Sequence, residues 1–430
     1  MKNFFKKIII RVLNFESRII LFRFKPLIIA ITGTVGKTST KEAVCAVLKP
    51  YFDVRKSEKS YNSEIGVPLT ILGLENAGKS FFYWFKNMFL GARKCLFSFS
   101  YPEILILEYG LDRPGDIGKL IKLAPPKIGI FTAVGKIPVH VEFFAGSEEI
   151  AKEKGKLIEN LPADGFAILN YDDMTVLDYR EKTRAKVITY GFGEGANIKA
   201  SNYRLILKEA EEKIIPEGIS FKVDYNGSNV PLRIFGGFGK SQVYAILAGL
   251  AVGVAMDLNL IELVGQLAQY APPAGRLKLI EGIKQSYIID DTYNASPMAT
   301  HEALDLLKDL PAKRKIAVFG DMLELGRFTE QAHRAVGEKT AKIADLIFTF
   351  GGRAKFIADE AGERGFEKNK IFSYLVQEDL IKELKYQTQE GDLILVKGSQ
   401  LMRMERIVKN IMAHPEQAKE LLVRQDWEDT

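Results

Sequence analysis

The sequence contains very little cysteine and no long apolar run. Of its 430 residues only Cys45 and Cys95 are cysteines, and two cannot build the disulfide framework of a small secreted domain. No stretch of about 18 uncharged apolar residues is present, so we expect no membrane-spanning helix. No small-residue cleavage site follows an apolar core, so a secretory signal is not expected either. These absences favour a protein of the reducing cytoplasm.

The chain also lacks an excess of charge outside its N-terminus. It carries 60 basic and 54 acidic side chains, of which seven basic and one acidic lie in residues 1–25, so 53 of each sign remain. The positive charge therefore belongs to an arm and not to a nucleic-acid-binding domain, and we expect no nucleic acid partner. The basic residues of the arm are Lys2, Lys6, Lys7, Arg11, Arg18, Arg23 and Lys25.

Residues 1–25 have the pattern of a basic amphipathic helix. The apolar side chains that form one stripe are Ile8, Val12, Phe15, Ile19 and Phe22. Such a helix either lies on an anionic membrane face or packs against the body of the protein or a partner. Residues 79–101 are also aromatic and basic, and a helix would place Lys79, Lys86 and Arg93 on one face. Both segments are candidate peripheral membrane contacts, with core packing as the alternative.

From residue 27 onward, short apolar strands alternate with helical patterns. Strands are predicted at 27–32, 104–108, 128–134, 166–170 and 187–191. This alternation indicates a largely parallel sheet with helices on both faces. Residues 198–235 predict an antiparallel β-extension instead, and a helix from about Ser241 to Met256 follows it.

The prolines and glycine of residues 271–279 mark a linker, after which the alternation restarts. The later strands are predicted at 287–291, 315–320, 346–351, 370–375 and 392–398. They indicate a second, smaller α/β domain of Rossmann-like character.

The segment after the first strand has the composition of a phosphate-binding loop. Its glycines would let backbone N–H groups face an anion, while the helix N-terminus and Lys37 add positive charge. Thr38 is placed to ligate Mg²⁺. The loop is shorter than the usual motif, whose first glycine would fall at Ile31. The candidate nucleotide-binding residues here are Gly33, Thr34, Val35, Gly36, Lys37, Thr38 and Ser39.

This loop, "ITGTVGKTSTKE", resembles the ATP loop of the Mur ligases, the ATP-dependent amide-forming enzymes of peptidoglycan precursor synthesis. Later segments follow in the order of that family, at residues 62–70, 105–117, 140–157, 290–297, 319–326 and 395–408. They are most similar to the branch that adds D-alanyl-D-alanine, and the resemblance covers about residues 27–412.

The residue patterns and the resemblance together divide the chain into three parts within an α/β fold. A basic amphipathic helical arm occupies residues 1–25. A central P-loop ATPase domain, with a mostly parallel sheet plus the β-extension, occupies residues 26–272. The smaller Rossmann-like C-terminal domain occupies residues 273–430. We expect the two larger parts to close over ATP and substrate, because closure excludes water from a hydrolysable intermediate.

The resemblance also implies a reaction. ATP would phosphorylate a carboxylate of a small-molecule or lipid-linked peptide precursor, and the amine of an amino acid or dipeptide would displace the phosphate and leave an amide. Positioning and metal charge dominate such phosphoryl transfer, and the resemblance implies ATP and two Mg²⁺ ions as cofactors. Catalytic roles would fall to Lys37, Lys154 and His140.

Further residues take roles from the same resemblance. The implied metal ligands are Thr38, Glu108, His140 and Lys154, the last as a carbamate, since a bare ammonium beside two Mg²⁺ ions would be repelled. ATP would also be contacted by Arg276, Asp291, Tyr293 and Asn294. The incoming amino component would face Lys397, Ser399 and Arg403.

The sequence departs from the family pattern in two places. Only about 26 residues precede the first strand, so we expect no counterpart of the family's UDP-binding N-terminal domain. One substitute for the UDP-linked substrate would be an anionic, lipid-linked acceptor held at the inner membrane face.

The second departure lies in the region expected to bind adenine. Ser241, Gln242 and Ala245 stand where the family has a His-Asn pair and a further Asn, which predicts a rebuilt adenine pocket.

Two other readings stay open at this point. One is a Mur-type ligase for another polymer, such as pseudopeptidoglycan or a polyglutamate-like chain. The other is a non-catalytic, membrane-associated nucleotide-binding scaffold, which the retained set Lys37, Thr38, Glu108, His140 and Lys154 argues against because a scaffold needs no metal ligands.

Overall fold

The computed structural model describes residues 2–58, 61–78, 80–135, 144, 146–210 and 213–425. His140 and Lys79, both singled out from the sequence, lie outside these ranges. None of the helices in the described ranges is long and apolar enough to cross a membrane.

The first part of the chain is built around one large sheet. Its strands are β1 (Leu27–Thr32), β2 (Val54–Lys56), β3 (Ile104–Glu108), β4 (Ile128–Phe131), β5 (Phe166–Asn170), β6 (Lys186–Gly191), β7 (Ile198–Ala210), β8 (Lys213–Tyr225) and β9 (Ser228–Phe235). The helices beside it are α1 (Lys2–Phe24), α2 (Lys37–Leu48), α3 (Gly66–Leu72), α4 (Phe81–Phe97), α5 (Asp116–Leu123), α6 (Ser147–Glu159), α7 (Met174–Leu177), α8 (Lys240–Ala255) and α9 (Leu260–Gln266).

The strand order is β2-β3-β1-β4-β5-β6-β7-β8-β9, parallel from β2 to β7 and antiparallel from β7 to β9. Both faces of β1 are covered, as a central parallel strand requires. Ile29 and Ile31 face a core shared with α2 and α8, whereas Ile28 and Ala30 face a second core on the side of α1, α3 and α6. The predicted parallel sheet and β-extension are both present.

The second sheet belongs to the rest of the chain. Its strands are β10 (Lys278–Glu281), β11 (Tyr287–Asp291), β12 (Arg314–Gly320), β13 (Leu346–Phe350), β14 (Ile371–Tyr374) and β15 (Asp392–Lys397). Their order is β10-β11-β15-β12-β13-β14, parallel except for β10. The helices are α10 (Pro297–Asp309), α11 (Thr329–Thr340), α12 (Lys355–Glu363), α13 (Gln377–Gln387), α14 (Glu405–Ile411) and α15 (Ala418–Leu421).

The register of the large sheet brings the candidate site to one edge. β1 pairs Ile31 with Glu108 of β3 and Thr32 with Phe131 of β4. The carboxyl ends of these strands therefore lie together, where α/β proteins open their binding crevices. β4 ends at Phe131 rather than at the predicted residue 134, because Thr132 turns toward the phosphate loop and donates from Oγ1 to Val35 O.

The N-terminal helix α1 forms as predicted but does not bury the predicted stripe. Its packed face carries Ile9, Leu13 and Ile20, which are almost fully buried against the body of the protein. Phe15 and Phe22 of the predicted stripe are instead 65% and 81% exposed. The helix thus has two apolar faces, and one of them is left at the surface.

Candidate active site

The short phosphate loop is held in shape by the turn that follows β4. Gly33 has φ 144°, and a Cβ there would lie 1.9 Å from Thr132 Oγ1, so no side chain fits. Gly36 has φ 89° and caps the N-terminus of α2. Thr34 N donates to Ala133 O at 2.6 Å. These contacts to the neighbouring strand end replace the longer glycine arch of the usual motif.

Lys37, the first residue of α2, folds back over this loop. Its Nζ donates to Gly33 O at 2.8 Å. Burial of the ammonium lowers the pKa of Lys37, the Glu108 carboxylate partly opposes that effect, and Arg276 adds to it. The amine is thus placed beside the N–H groups at the start of α2, where it can neutralise a bound phosphate.

Lys154 of α6 reaches the same loop from the other side. The residue is only 2% exposed, and its Nζ donates to Gly33 O at 3.0 Å. Burial, with the charge of Lys37 as the next cause, holds the pKa of Lys154 well below its usual value. An amine that loses its proton easily is the form that can add CO₂, so the environment fits the predicted carbamate chemically.

Glu108, the last residue of β3, is buried next to the loop and forms an ion pair with Lys41. The distance from Lys41 Nζ to Glu108 Oε1 is 3.0 Å, and both side chains are almost inaccessible. Lys41 was not predicted, although its position one helical turn after Lys37 places both lysines on the same face of α2.

The residues present fit a magnesium ion. Mg²⁺ prefers oxygen ligands. Thr38 offers a hydroxyl oxygen, and Glu108 and Asp112 offer carboxylate oxygens, in the same cleft. Within the described ranges, no three His, Cys, Asp or Glu side chains gather as a metal cluster. His140 lies outside the described ranges, so its predicted roles in catalysis and metal binding stay predictions.

The second domain contributes an arginine stacked on a tyrosine. The guanidinium of Arg276 lies 4.1 Å from the ring centroid of Tyr293, and its Nε is buried with no hydrogen-bond partner in the described structure. The linker that carries this arginine is fixed by Gln242, whose Nε2 donates to Arg276 O at 3.0 Å. Gln242, a departure from the family pattern, is therefore a buried contact of the domain joint.

Lys397 and Arg403 are tied to neighbouring carboxylates of their own domain. Lys397 lies opposite Asp291 in the pairing of β11 and β15, is 1% exposed, and donates from Nζ to Asp291 Oδ2 and Asn294 O. Arg403 Nε donates to Glu405 Oε1 at 2.6 Å. Their predicted contact with the amino component stays a prediction. Ser399 Oγ accepts from Leu323 N at 2.8 Å and faces the cleft.

A cleft of about 340 Å³ between the two domains gathers most of the predicted residues. Those that line it are Thr34, Val35, Gly36, Lys37, Thr38, Glu108, Lys154, Arg276, Tyr293, Asn294 and Ser399. Gly33, Ser39, Asp291, Lys397 and Arg403 lie outside its lining. Further lining residues were given no role from the sequence, among them Asn62, Asp112, Glu324 and Gln400, although all four of these fall within family-like segments.

Family models match both halves of the chain. The model described as Mur ligase middle domain matches residues 31–84 and 86–253, and the model described as Mur ligase, glutamate ligase domain, matches residues 275–400. The UDP-N-acetylmuramoyl-tripeptide--D-alanyl-D-alanine ligase of Bacillus subtilis (strain 168) is 31% identical over 395 residues, which cover 90% of this chain and 76% of that protein. The enzyme of the same name from Synechocystis is 30% identical over 91% of this chain and 76% of its own length.

Two solved structures share the architecture of this chain. A MurF ligase from Thermotoga maritima in complex with ADP has a TM-score of 0.75 and 26% identity, covering 96% of this chain and 84% of that one. A pseudomurein peptide ligase type C from Methanothermus fervidus has a TM-score of 0.64, covering 91% and 80%. At 18% identity the latter shows the fold alone.

Proposed function

The chain belongs to the Mur ligase family, and from that premise we propose that it is an ATP-dependent ligase that forms an amide bond on a cell-wall precursor. The amino component is D-alanyl-D-alanine or a similar compound, as the names of its relatives suggest. The observation that carries the proposal is the cleft in which Lys37, Lys154 and Glu108 face Arg276 of the second domain.

Different side chains of the cleft serve different steps of the reaction. Lys37 and Arg276 bind the phosphates of ATP, and their charges oppose the negative charge that builds up as the terminal phosphoryl group moves to the substrate carboxylate. Thr38 and Glu108 would hold Mg²⁺, which supplies further positive charge at the phosphate oxygens. The amine then attacks the acyl carbon, the C–N bond forms, the bond to phosphate breaks, and the nitrogen loses a proton.

Lys154 is proposed to act as a carbamate. Its low pKa favours the neutral amine that attacks CO₂, and the product is an anion suited to a site rich in positive charge. Incubation with ¹³C-bicarbonate should give a carbamate carbonyl signal by NMR in the wild-type protein. The same signal should be missing from Lys154→Ala and kept in the exposed-surface variant Lys382→Ala.

The acceptor is proposed to be a peptide-bearing precursor with a free carboxylate, either linked to UDP or carried on a lipid. The first source is suggested by the names of the relatives. The second is suggested by the predicted membrane contact of residues 1–25 and 79–101, which would place the enzyme at the inner face of the membrane.

Mass spectrometry of products from a mixed pool tests the proposal and separates the sources. The protein is incubated with ATP, Mg²⁺, UDP-linked and lipid-linked precursors, and a set of amines with D-alanyl-D-alanine among them. We expect one precursor to gain the mass of one amine with loss of water. A pool that stays unchanged, while ATP is bound, would contradict the ligase assignment.

A further inference from the structure

Helices α1 and α4 lie side by side and run in the same direction. At their N-terminal ends the ring centroids of Phe5 and Phe81 are 4.1 Å apart. At their C-terminal ends Arg23 Nη1 donates to Cys95 O at 2.9 Å. The thiol of the same Cys95 donates from Sγ to Glu16 O, about two turns earlier in α1. The two helices therefore form one continuous surface, which we call the α1–α4 face.

The α1–α4 face exposes a concentration of large apolar side chains. Phe89 of α4 is 71% exposed, comparable to Phe15 and Phe22 of α1. An apolar groove of about 400 Å³ runs between the helices, with Val12, Phe15 and Ile19 on one wall and Ala92 and Leu96 on the other. The exposed large apolar side chains of the two helices are Ile8, Phe15, Phe22, Phe81, Phe82, Tyr83, Phe85, Phe89, Leu96 and Phe97. Single exposed apolar residues need no explanation, but a contiguous set marks an interaction surface.

The charge of this face has one sign. The two helices, Lys2–Phe24 and Phe81–Phe97, contain nine basic residues and a single acidic one, Glu16. Glu16 is only 4% exposed, and burial raises its pKa to about 7, so it contributes little negative charge at the surface. Basic side chains such as Arg11, Arg18 and Lys86 are exposed beside the phenylalanines.

We infer that the α1–α4 face docks on a lipid bilayer with anionic headgroups. Aromatic and aliphatic side chains would enter the boundary between headgroups and acyl chains, and the surrounding lysines and arginines would contact the headgroup phosphates. A second copy of this chain is a poor occupant, because it would set the exposed basic side chains Arg11, Arg18 and Lys86 of one copy against those of the other. An acidic protein would satisfy the charges but gives no reason for so many aromatic side chains spread along two helices.

The docking surface lies near the cleft. Lys6 of α1 forms an ion pair with Glu64 at 3.6 Å, and Glu64 is two residues from Asn62, which lines the cleft. The end of α1 also leads directly into β1 and the phosphate loop. Docking would thus hold the cleft close to a precursor carried by the membrane; this last clause alone rests on the proposed function.

Flotation of the full chain with vesicles tests the inference. Vesicles of phosphatidylcholine alone are compared with vesicles containing phosphatidylglycerol, at low and at high salt. We expect binding to the anionic vesicles that weakens as salt rises, since salt screens the basic side chains. Equal partition to both vesicle types, or no partition to either, would overturn the inference.

Point variants then separate the apolar and the charged contributions. Phe15→Ser with Phe89→Ser should weaken binding more than about tenfold, and Arg18→Glu with Arg93→Glu should do the same. The matched controls are Leu375→Ser and Lys382→Glu, on exposed positions of the second domain, which should bind like the wild type. All four substituted positions of the face are exposed, so we expect unchanged circular dichroism.

Two further readouts distinguish other occupants of the face. Sedimentation equilibrium without lipid should show the same mass for the wild type and for the Phe15→Ser, Phe89→Ser variant. A wild-type dimer that this variant dissociates would identify a second copy as the occupant and overturn the inference. Ligation of a UDP-linked acceptor should be unchanged by the same variant, so failure of the ligase proposal would not be confused with failure of docking.

Discussion

The two walls of the cleft use lysine in opposite ways. In the first domain, Lys37 and Lys154 both donate to one backbone carbonyl, Gly33 O, and the pKa of each is lowered. In the second domain, Lys397 is buried against the Asp291 carboxylate. An amine held without a direct carboxylate partner in the described part of the chain is suited to an anionic ligand. An amine that is already paired is suited to holding two strands together.

This difference separates roles that the sequence alone did not separate. All three lysines fall within segments that resemble the family, and all three were assigned to the site. Geometry divides them into two residues that line the cleft and one that lies behind its wall. The same division predicts which substitutions will stop the reaction and which will unfold the domain.

The largest effect is expected for Lys37→Ala. Loss of the ammonium beside the phosphate-binding N–H groups should lower the rate of amide formation by about a thousandfold or more. Within the described ranges the side chain donates to carbonyl groups of its own loop, so the unfolding temperature should change little. Coupled ADP-release kinetics measure the first quantity and thermal denaturation the second. Product formation at the wild-type rate would show that the loop assignment is wrong.

Lys397→Met should act on stability instead. Removing the lysine leaves the Asp291 charge buried without compensation, which costs about 3–5 kcal/mol in free energy of unfolding. Urea unfolding followed by circular dichroism measures this loss. The double variant Lys397→Met, Asp291→Asn should recover much of it, because the uncompensated charge is removed. A single variant as stable as the wild type would argue that the pair does not hold β11 to β15.

Lys154→Ala should lower activity by about a hundredfold, in the range seen when a metal site loses a supporting group. If the lysine acts as a carbamate, formate or acetate in the buffer should restore part of the rate by replacing the missing carboxylate. The matched control is Lys37→Ala, for which no carboxylate should help. Full activity of Lys154→Ala without any additive would contradict its proposed role.

The smallest effect is expected at Glu16, a carboxyl that lies buried outside the cleft. Burial raises its pKa from 4.5 to about 7, so the folded state binds this proton more tightly than the unfolded state. The free energy of unfolding should therefore fall as pH rises from about 4.5 through 7. Allowing for solvent screening, Glu16→Gln should be about 1–2 kcal/mol more stable than the wild type at pH 8.

Urea unfolding of both proteins at pH 8 and at pH 4.5 checks the sign. At pH 4.5 the two should agree within about 0.5 kcal/mol, because Glu16 is then protonated in the folded state and half protonated in the unfolded state. A stabilisation by Glu16→Gln that is the same at both pH values would show that burial of the charge is not its cause.

The central strands could be predicted from the sequence because each is an apolar run buried on both faces. β1 and β3 coincide with the predicted segments 27–32 and 104–108. Strand ends were less predictable, since they depend on contacts between segments distant in sequence. β4 ends early because Thr132 bonds to the phosphate loop, a contact that spacing along the chain does not reveal.

The site was predictable where local pattern and function coincide, as in the loop from Thr34 to Thr38. Lys41 was missed because its role depends on the pairing of β1 with β3, which buries Glu108 beneath α2. The sequence left open whether the N-terminal arm packs its predicted stripe against the protein or leaves it exposed. Its helix carries two apolar stripes, and only the position of α4 and the neighbouring helices decides which of them is covered.

The most direct test of the ligase account is the stoichiometry of a quenched reaction. ATP, a precursor carboxylate and D-alanyl-D-alanine are mixed with the protein, and ADP and amide product are counted in the same samples. We predict one amide for each ADP, with no ADP release when the carboxylate or the amine is omitted. ADP that accumulates at the same rate without an amine, and with no new C–N bond, would contradict the account.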